Sequence, residues 1–190
     1  MAKFKSLESP RFDQALEGLM SSLKAEYVIL KKKRFHVLSV GESGYIWIIF
    51  SGWMLAVRSS PQGRVKGMGL FGPGDILGVS GLGGNSRDVP LYAVTDTLVK
   101  RAFTQDLRRA MKDDARLCQY MLNYICRRYA ELLDELEDST LLPLGDRVRS
   151  FQNKISEKVP GTAHISLSEQ VVAWAVGAHP VSVCRALKGE

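Results

Sequence analysis

The residues best suited to chemistry on a partner lie at the end of the chain, in SLSEQVVAWAVGAHPVSVCRALKGE from Ser166. Ser168 is placed to cap a first helix by accepting a backbone amide, with Val171, Val172 and Ala175 turned inward. Ala173 is small where two helices would cross closely, and Gly177 suits a left-handed turn. Pro180 fits the first turn of a second helix, where no amide donor is needed. Val183 and Leu187, four apart, are expected on its buried face. That leaves His179, Pro180, Val181, Ser182, Arg185 and Lys188 outside. This is the grammar of a helix-turn-helix, whose second helix meets base edges in the major groove. Arg185 can be bidentate to guanine, Ser182 can reach base or phosphate, Val181 can pack on a thymine methyl, and Lys188 suits phosphate. Read alone, the segment is equally an ordinary helical hairpin with solvated charges.

Other constellations promise less. Cys118, Cys126 and Cys184 form no CxxC pair. They are too few and too scattered for an iron-sulfur cluster, and no metal site is expected. His36 is an isolated histidine, read as a strand residue and not as a haem ligand. GMGLFG, Gly67 to Gly72, matches the dinucleotide pattern GxGxxG, but PGD follows where a helix should open. KKKR, Lys31 to Arg34, is read as the exposed turn of a β-hairpin between YVIL and FHVL. With three histidines and no glycine-flanked serine elbow, no nucleophile, base and oxyanion arrangement can be placed, so an enzyme is not expected.

The surrounding pattern says what must position the terminal segment. Of 17 glycines, 12 lie between Gly41 and Gly84, between short apolar runs such as YIWIIF and WMLAV. Val28 to Phe103 therefore reads as several short antiparallel strands, a β-roll, with SSPQG at Ser59 to Gly63 as a hairpin turn. Phe12 to Leu23 has a helical period and leads in. After Phe103 glycine vanishes until Gly145, and a long helix is expected over about 105–138. Along it Cys118, Leu122, Ile125, Tyr129, Leu132 and Leu136 recur at heptad steps, a seam that calls for a partner helix. The plainer alternative is a helix packed only on the chain's own roll, and the two can coexist, with one side docked on the roll while the seam meets its copy in a symmetric dimer. DSTLLPLG, Asp138 to Gly145, ends the helix and sets the boundary between a sensing unit, 1–138, and a terminal unit, 139–190. A helix through Val148, Phe151 and Ile155 and a short strand at His164 to Leu167 are expected beyond it.

Composition sets the class. With 190 residues, 45% hydrophobic and 24% charged, the chain can bury a core. Tyr45 to Val57, broken by Ser51 and Gly52, is too short to span a bilayer, and the start lacks an apolar secretion signal. A cytoplasmic protein without membrane contact is expected. The net charge of +6 favours a polyanion without requiring one.

In the order of its parts the chain resembles the Crp/Fnr superfamily of bacterial transcription regulators. The resemblance rests on VGES at Val40 to Ser43, YIWIIFSGWMLAV at Tyr45 to Val57, FGPGDILG at Phe71 to Gly78, YAVTDT at Tyr92 to Thr97 and VGAHPVSVCRAL at Val176 to Leu187. It implies an α+β protein: an antiparallel, cyclic-nucleotide-binding-like β-roll, a long dimerisation helix, and an all-α or winged helix-turn-helix domain. It also implies that Gln170, with Ser168, anchors the first helix to the DNA backbone while His179, Pro180, Val181, Ser182 and Arg185 read bases. Double-stranded DNA and a second copy of the chain are the implied partners, with RNA polymerase as a further one. The family usually continues into a two-stranded wing, whereas this sequence stops at Glu190. Truncation and reduced DNA contact both remain open.

Cyclic-nucleotide binders of the family place a glutamate after the FGPGD-like turn and an arginine beside a small hydroxyl residue. Here Val79 and Ser80 follow the turn, and Asp88 follows Arg87. A carboxylate beside an anion site opposes phosphate, which disfavours cyclic AMP. An unidentified small effector is expected between the roll and the long helix, with Val79, Ser80, Arg87, Asp88, Tyr92, Tyr120 and Tyr124 as candidate contacts. Trp47 and Trp53 are read first as core. The function these expectations add up to is a homodimeric regulator binding palindromic DNA under control of a small effector other than cyclic AMP. The alternative is a ligand-binding or interaction module of the same architecture with lost or reduced DNA binding.

Overall fold

A computed structural model describes residues 23–158 and 167–188. The expected helix from Phe12 and the strand at His164 fall largely outside those residues. Eight strands come first: β1 (Ala25–Leu30), β2 (Phe35–Val40), β3 (Tyr45–Ser51), β4 (Met54–Ser59), β5 (Val65–Phe71), β6 (Ile76–Leu77), β7 (Arg87–Ala93) and β8 (Thr97–Phe103). A 3-10 turn, Val79–Gly83, lies between β6 and β7. Five helices follow: α1 (Thr104–Asp113), α2 (Ala115–Leu141), α3 (Leu144–Lys158), α4 (Glu169–Val176) and α5 (Pro180–Lys188). Among the described residues, no helix is long and apolar enough to cross a membrane.

The strands form two four-stranded sheets, ordered β1-β8-β3-β6 and β2-β7-β4-β5. This is the expected antiparallel roll, and the GMGLFG run lies in β5 as strand up to Phe71. SSPQG is the turn between β4 and β5, with Gly63 at φ 77° donating its amide to the Ser60 carbonyl at 2.9 Å.

Two expectations are corrected. Lys31 to Arg34 are exposed, but β1 and β2 do not form a hairpin. β1 pairs with β8 and β2 with β7. The turn is held by the other strands' connection: the Lys33 amide donates to the Ala93 carbonyl at 2.7 Å and the Lys32 amide to Asp96 Oδ1 at 2.8 Å. The single long helix is also interrupted. Asp114 adopts an extended conformation, and its Oδ1 accepts the amides of Arg116 (2.8 Å) and Leu117 (3.2 Å). It thereby caps α2 as a new helix, the usual role of an aspartate at a helix start.

By their contacts the described residues divide into two compact units: those up to Met54 with Phe71–Arg127, and Leu55–Leu70 with those from Arg128 onward. The first is centred on Ile46, Ile48, Ile76, Ala102, Leu107, Leu117, Met121 and Tyr124. Strand alternation sends Ile46 and Ile48 to the face that receives α1 and the start of α2. The second unit has its own core of Val148, Val172, Ala173, Val176 and Val183.

Candidate nucleic-acid interface and effector region

In the second unit, α3, α4 and α5 pack as a three-helix group. The start of α4 is fixed by Ser168, whose Oγ accepts the Val171 amide at 3.4 Å. Its end is fixed by Gly177 at φ 66°. There the Ala178 amide donates to the Ala173 carbonyl (2.9 Å) and the Gly177 amide to that of Trp174 (3.2 Å), the paired bonds of a Schellman end. A side chain would strain Gly177's backbone. Arg147 of α3 adds a bond from its guanidinium to the Val176 carbonyl at 3.0 Å. The sequence reading did not anticipate that cap.

The helix pair therefore crosses at a fixed turn, with Ala173 fully buried at the crossing. α5 opens at Pro180, and His179 Nδ1 accepts the Val181 amide at 3.3 Å. Val183 is fully buried. Val181 and Arg185 stand two residues to either side of it, about 200° around the helix, and both are exposed along with His179, Ser182 and Lys188. Pro180 is half-buried; Ser168 and Gln170 are exposed. Leu187 differs from its expected inward placement: it is 45% exposed, because the buried core of the three helices ends at Val183.

Helix α2 presents two apolar faces. Leu117, Met121 and Tyr124 are buried, followed by the buried, ion-paired Arg128, while Leu122, Ile125, Tyr129, Leu132 and Leu136 are exposed, Tyr129 to 64%. The second row is offset from the first by one residue, about 100° of rotation. Cys118 stands apart from the exposed row. It is half-buried, and its thiol donates to the Met111 carbonyl at 2.8 Å.

The candidate effector residues do not form one cluster. Val79 and Tyr120 pack against the core cluster that contains Tyr124. The Tyr124 hydroxyl is engaged by the backbone of Ile76, accepting its amide (2.7 Å) and donating to its carbonyl (2.9 Å). Ser80 is half-buried in the 3-10 turn. Arg87 and Asp88 are exposed at the start of β7, where Asp88 accepts from Ser39 Oγ at 2.8 Å. Tyr92 lies five residues further along the strand, roughly 17 Å away, with its ring 5.1 Å from that of Phe35. Trp47 and Trp53 are core residues. Sequence reasoning also missed Arg108 of α1. It donates to the carbonyls of Gly81 (3.0 Å) and Leu82 (2.9 Å) and pairs with Glu42 (2.9 Å), holding the end of the 3-10 turn. Among the described residues no group of three or more His, Cys, Asp or Glu side chains could hold a metal.

A search of curated proteins finds no match to the sequence. The family model for the cyclic nucleotide-binding domain matches residues 32–114. Among solved structures, FixK2 from Bradyrhizobium japonicum is similar at 19% identity and a TM-score of 0.77, over 88% of this chain and 84% of that one. CLP from Xanthomonas campestris, described as a c-di-GMP responsive global regulator, is similar at 19% identity and a TM-score of 0.72, over 92% and 89%. TTHB099 from Thermus thermophilus, a transcriptional regulator of the CRP family, gives 19% and 0.71 over 85% and 83%. CLP and TTHB099 are both described as regulators. The chain thus carries a cyclic nucleotide-binding domain match over residues 32–114 and has the fold of the Crp/Fnr transcription regulators.

Proposed function

We propose that this protein is a bacterial-type transcription regulator that binds palindromic double-stranded DNA as a homodimer, under control of a small effector other than cyclic AMP. The observation that carries the reading is the division of labour on α5: Val183 anchors it, and Val181, Ser182, Arg185 and Lys188 are left exposed. The early and outer residues of such a helix are those that reach base edges. In this role Arg185 reads guanine, Ser182 and Val181 contact neighbouring bases, His179 and Pro180 complete the reading face, and Ser168, Gln170 and Lys188 meet the backbone.

The exposed row on α2 supports the dimer. Leu122, Ile125, Tyr129, Leu132 and Leu136 recur at steps of three and four and are not used by the core that buries Leu117, Met121 and Tyr124. Pairing through that row gives a two-fold molecule and hence half-sites about 34 Å apart. RNA polymerase is the further partner met at a promoter.

The effector is placed at the roll, with Val79, Ser80, Arg87, Asp88, Tyr92, Tyr120 and Tyr124 as its candidate contacts. Val79 offers an aliphatic side chain where the family's nucleotide binders have a ribose-binding carboxylate, and Asp88 places negative charge beside Arg87. Both features argue against a cyclic phosphate ligand. A salt-dependent retardation assay on duplexes from upstream of the gene tests the reading. Retardation that weakens steeply with salt is expected. A folded dimer that retards no duplex at low salt would instead be a ligand-binding or interaction module.

A further inference from the structure

Two exposed surfaces, one in each unit, carry opposite charge beside exposed carbon. The first lies on β2 and β7, where the register pairs Phe35 with Tyr92 and Val37 with Pro90. Strand alternation puts these four on one face, while Leu38 and Leu91 are buried on the other. Phe35 is 57% exposed and Val37 58%. Just before them stand Lys31, Lys32, Lys33 and Arg34, all exposed. The backbone of this turn is tied to Ala93 and Asp96. Among the described residues none of the four cationic side chains is ion-paired.

The second surface is the last part of α2. From Glu131 to Asp138, five of eight residues are acidic. Glu131 is paired with Arg128 and Asp138 with Lys154. Asp134 and Glu137 are exposed and make no ion pair among the described residues. Leu133, Glu137 and Leu141 follow at steps of four, which makes one stripe of the helix. Leu133 is 47% exposed and Leu141 72%. This stripe is not the seam, since it is offset from Leu132 and Leu136 by one residue, about 100°.

We infer that these surfaces are the two halves of a contact between copies of this chain, in which the cationic turn and aromatic face of one copy receive the acidic stripe of α2 from another. Charge complementarity selects this occupant: each half supplies the sign the other faces, and each has apolar surface to bury. A duplex would satisfy the cations but leave Phe35 and Val37 against phosphate. Because the two halves are different surfaces, the contact is not self-complementary and propagates from one copy to the next. It does not use the seam, so it goes beyond the two-fold pairing of the proposed regulator and would join dimers bound at neighbouring sites on one duplex.

Sedimentation velocity of the intact protein over a range of concentrations tests the inference. Species heavier than the dimer are expected at low salt and should fade as the screening length falls from about 10 Å at 0.1 M to about 3 Å at 1 M. Lys31→Glu with Arg34→Glu, and separately Asp134→Lys with Glu137→Lys, are surface changes that should each weaken this association about tenfold or more, by placing like charges together. All four changes in one chain restore opposite signs and should restore assembly. Absence of any species beyond the dimer at low salt, equal association in either charge-reversed variant, or no recovery in the combined variant would each overturn the inference. In Leu122→Glu with Tyr129→Glu, which disrupts the seam, the salt-sensitive association is expected to persist. Failure of the two-fold pairing and failure of this contact therefore give different results.

Discussion

Helices α4 and α5 satisfy their own ends through Ser168, Gly177, His179 and Arg147, and so leave Ser182, Arg185 and Lys188 exposed. Around the 3-10 turn the polar groups are already engaged: Arg108 by Gly81, Leu82 and Glu42, Asp88 by Ser39, Tyr124 by Ile76. The same residue types thus do different work in the two regions. At the terminal helices they are presented outward by a scaffold that does not need them. At the roll they hold the scaffold, and an effector there must compete with existing hydrogen bonds or use the carbon surface of Val79 and Tyr120.

The contrast can be broken in order of expected effect. Replacing Leu122 and Tyr129 together by glutamate puts charge on the exposed row of α2 and should raise the dimer dissociation constant by about 10–100-fold, since central aromatic and aliphatic anchors dominate such interfaces. Analytical ultracentrifugation measures it, and unchanged folding by circular dichroism keeps the effect in the interface. Arg185→Ala should leave the melting temperature unaltered and cost about 1–3 kcal/mol of discrimination at one base position, read by binding selection. Tyr124→Phe should do the reverse. It orphans the amide and carbonyl of Ile76, costing about 1–3 kcal/mol of stability in chemical denaturation while sparing base preference. Ser168→Ala removes a cap for about 1 kcal/mol, by the same denaturation assay.

The smallest effect is one of pH. Hydrogen bonds from Lys154 and Ser150 hold the Asp138 carboxyl below its ordinary value, against a smaller opposing effect of burial. A lowered folded-state pKa contributes stability above the unfolded value, about 3.9, and loses it as pH falls through the folded value. Asp138→Asn should therefore remove a modest part of the acid destabilisation seen below about pH 4 and change nothing in slope near neutrality.

Much of this was legible in the sequence because it is local. Capping at Ser168, the left-handed turn at Gly177 and the helix start at Pro180 are each dictated by a residue's own backbone chemistry. The heptad row on α2 was legible by period alone. What escaped depends on distant partners. The sheet to which β2 belongs is decided by its pairing with β7, some fifty residues away, so the run YVIL-KKKR-FHVL looks like a hairpin and is a crossover between sheets. Nothing in the local sequence singles out Arg108, Arg147 or Arg128, yet all three bond within the fold. The break at Asp114 was visible in principle, since two aspartates precede Ala115, but helical periodicity on both sides masked it. Gly67 lies in β5, and its role there depends on a distant helix. A Cβ there would lie 3.0 Å from Ala175 Cα, so the glycine allows the strand to approach α4 closely.

The central claim is that α5 reads duplex DNA from a dimer. Fluorescence anisotropy with a labelled palindromic duplex from upstream of the gene, titrated from low to physiological salt for the wild type and for Arg185→Ala, tests it most directly. The account predicts wild-type binding that falls linearly on a log–log salt plot, two chains per duplex, and weaker, less sequence-selective binding by the variant. Equal binding of both proteins at every salt concentration, or one chain per duplex, would contradict it.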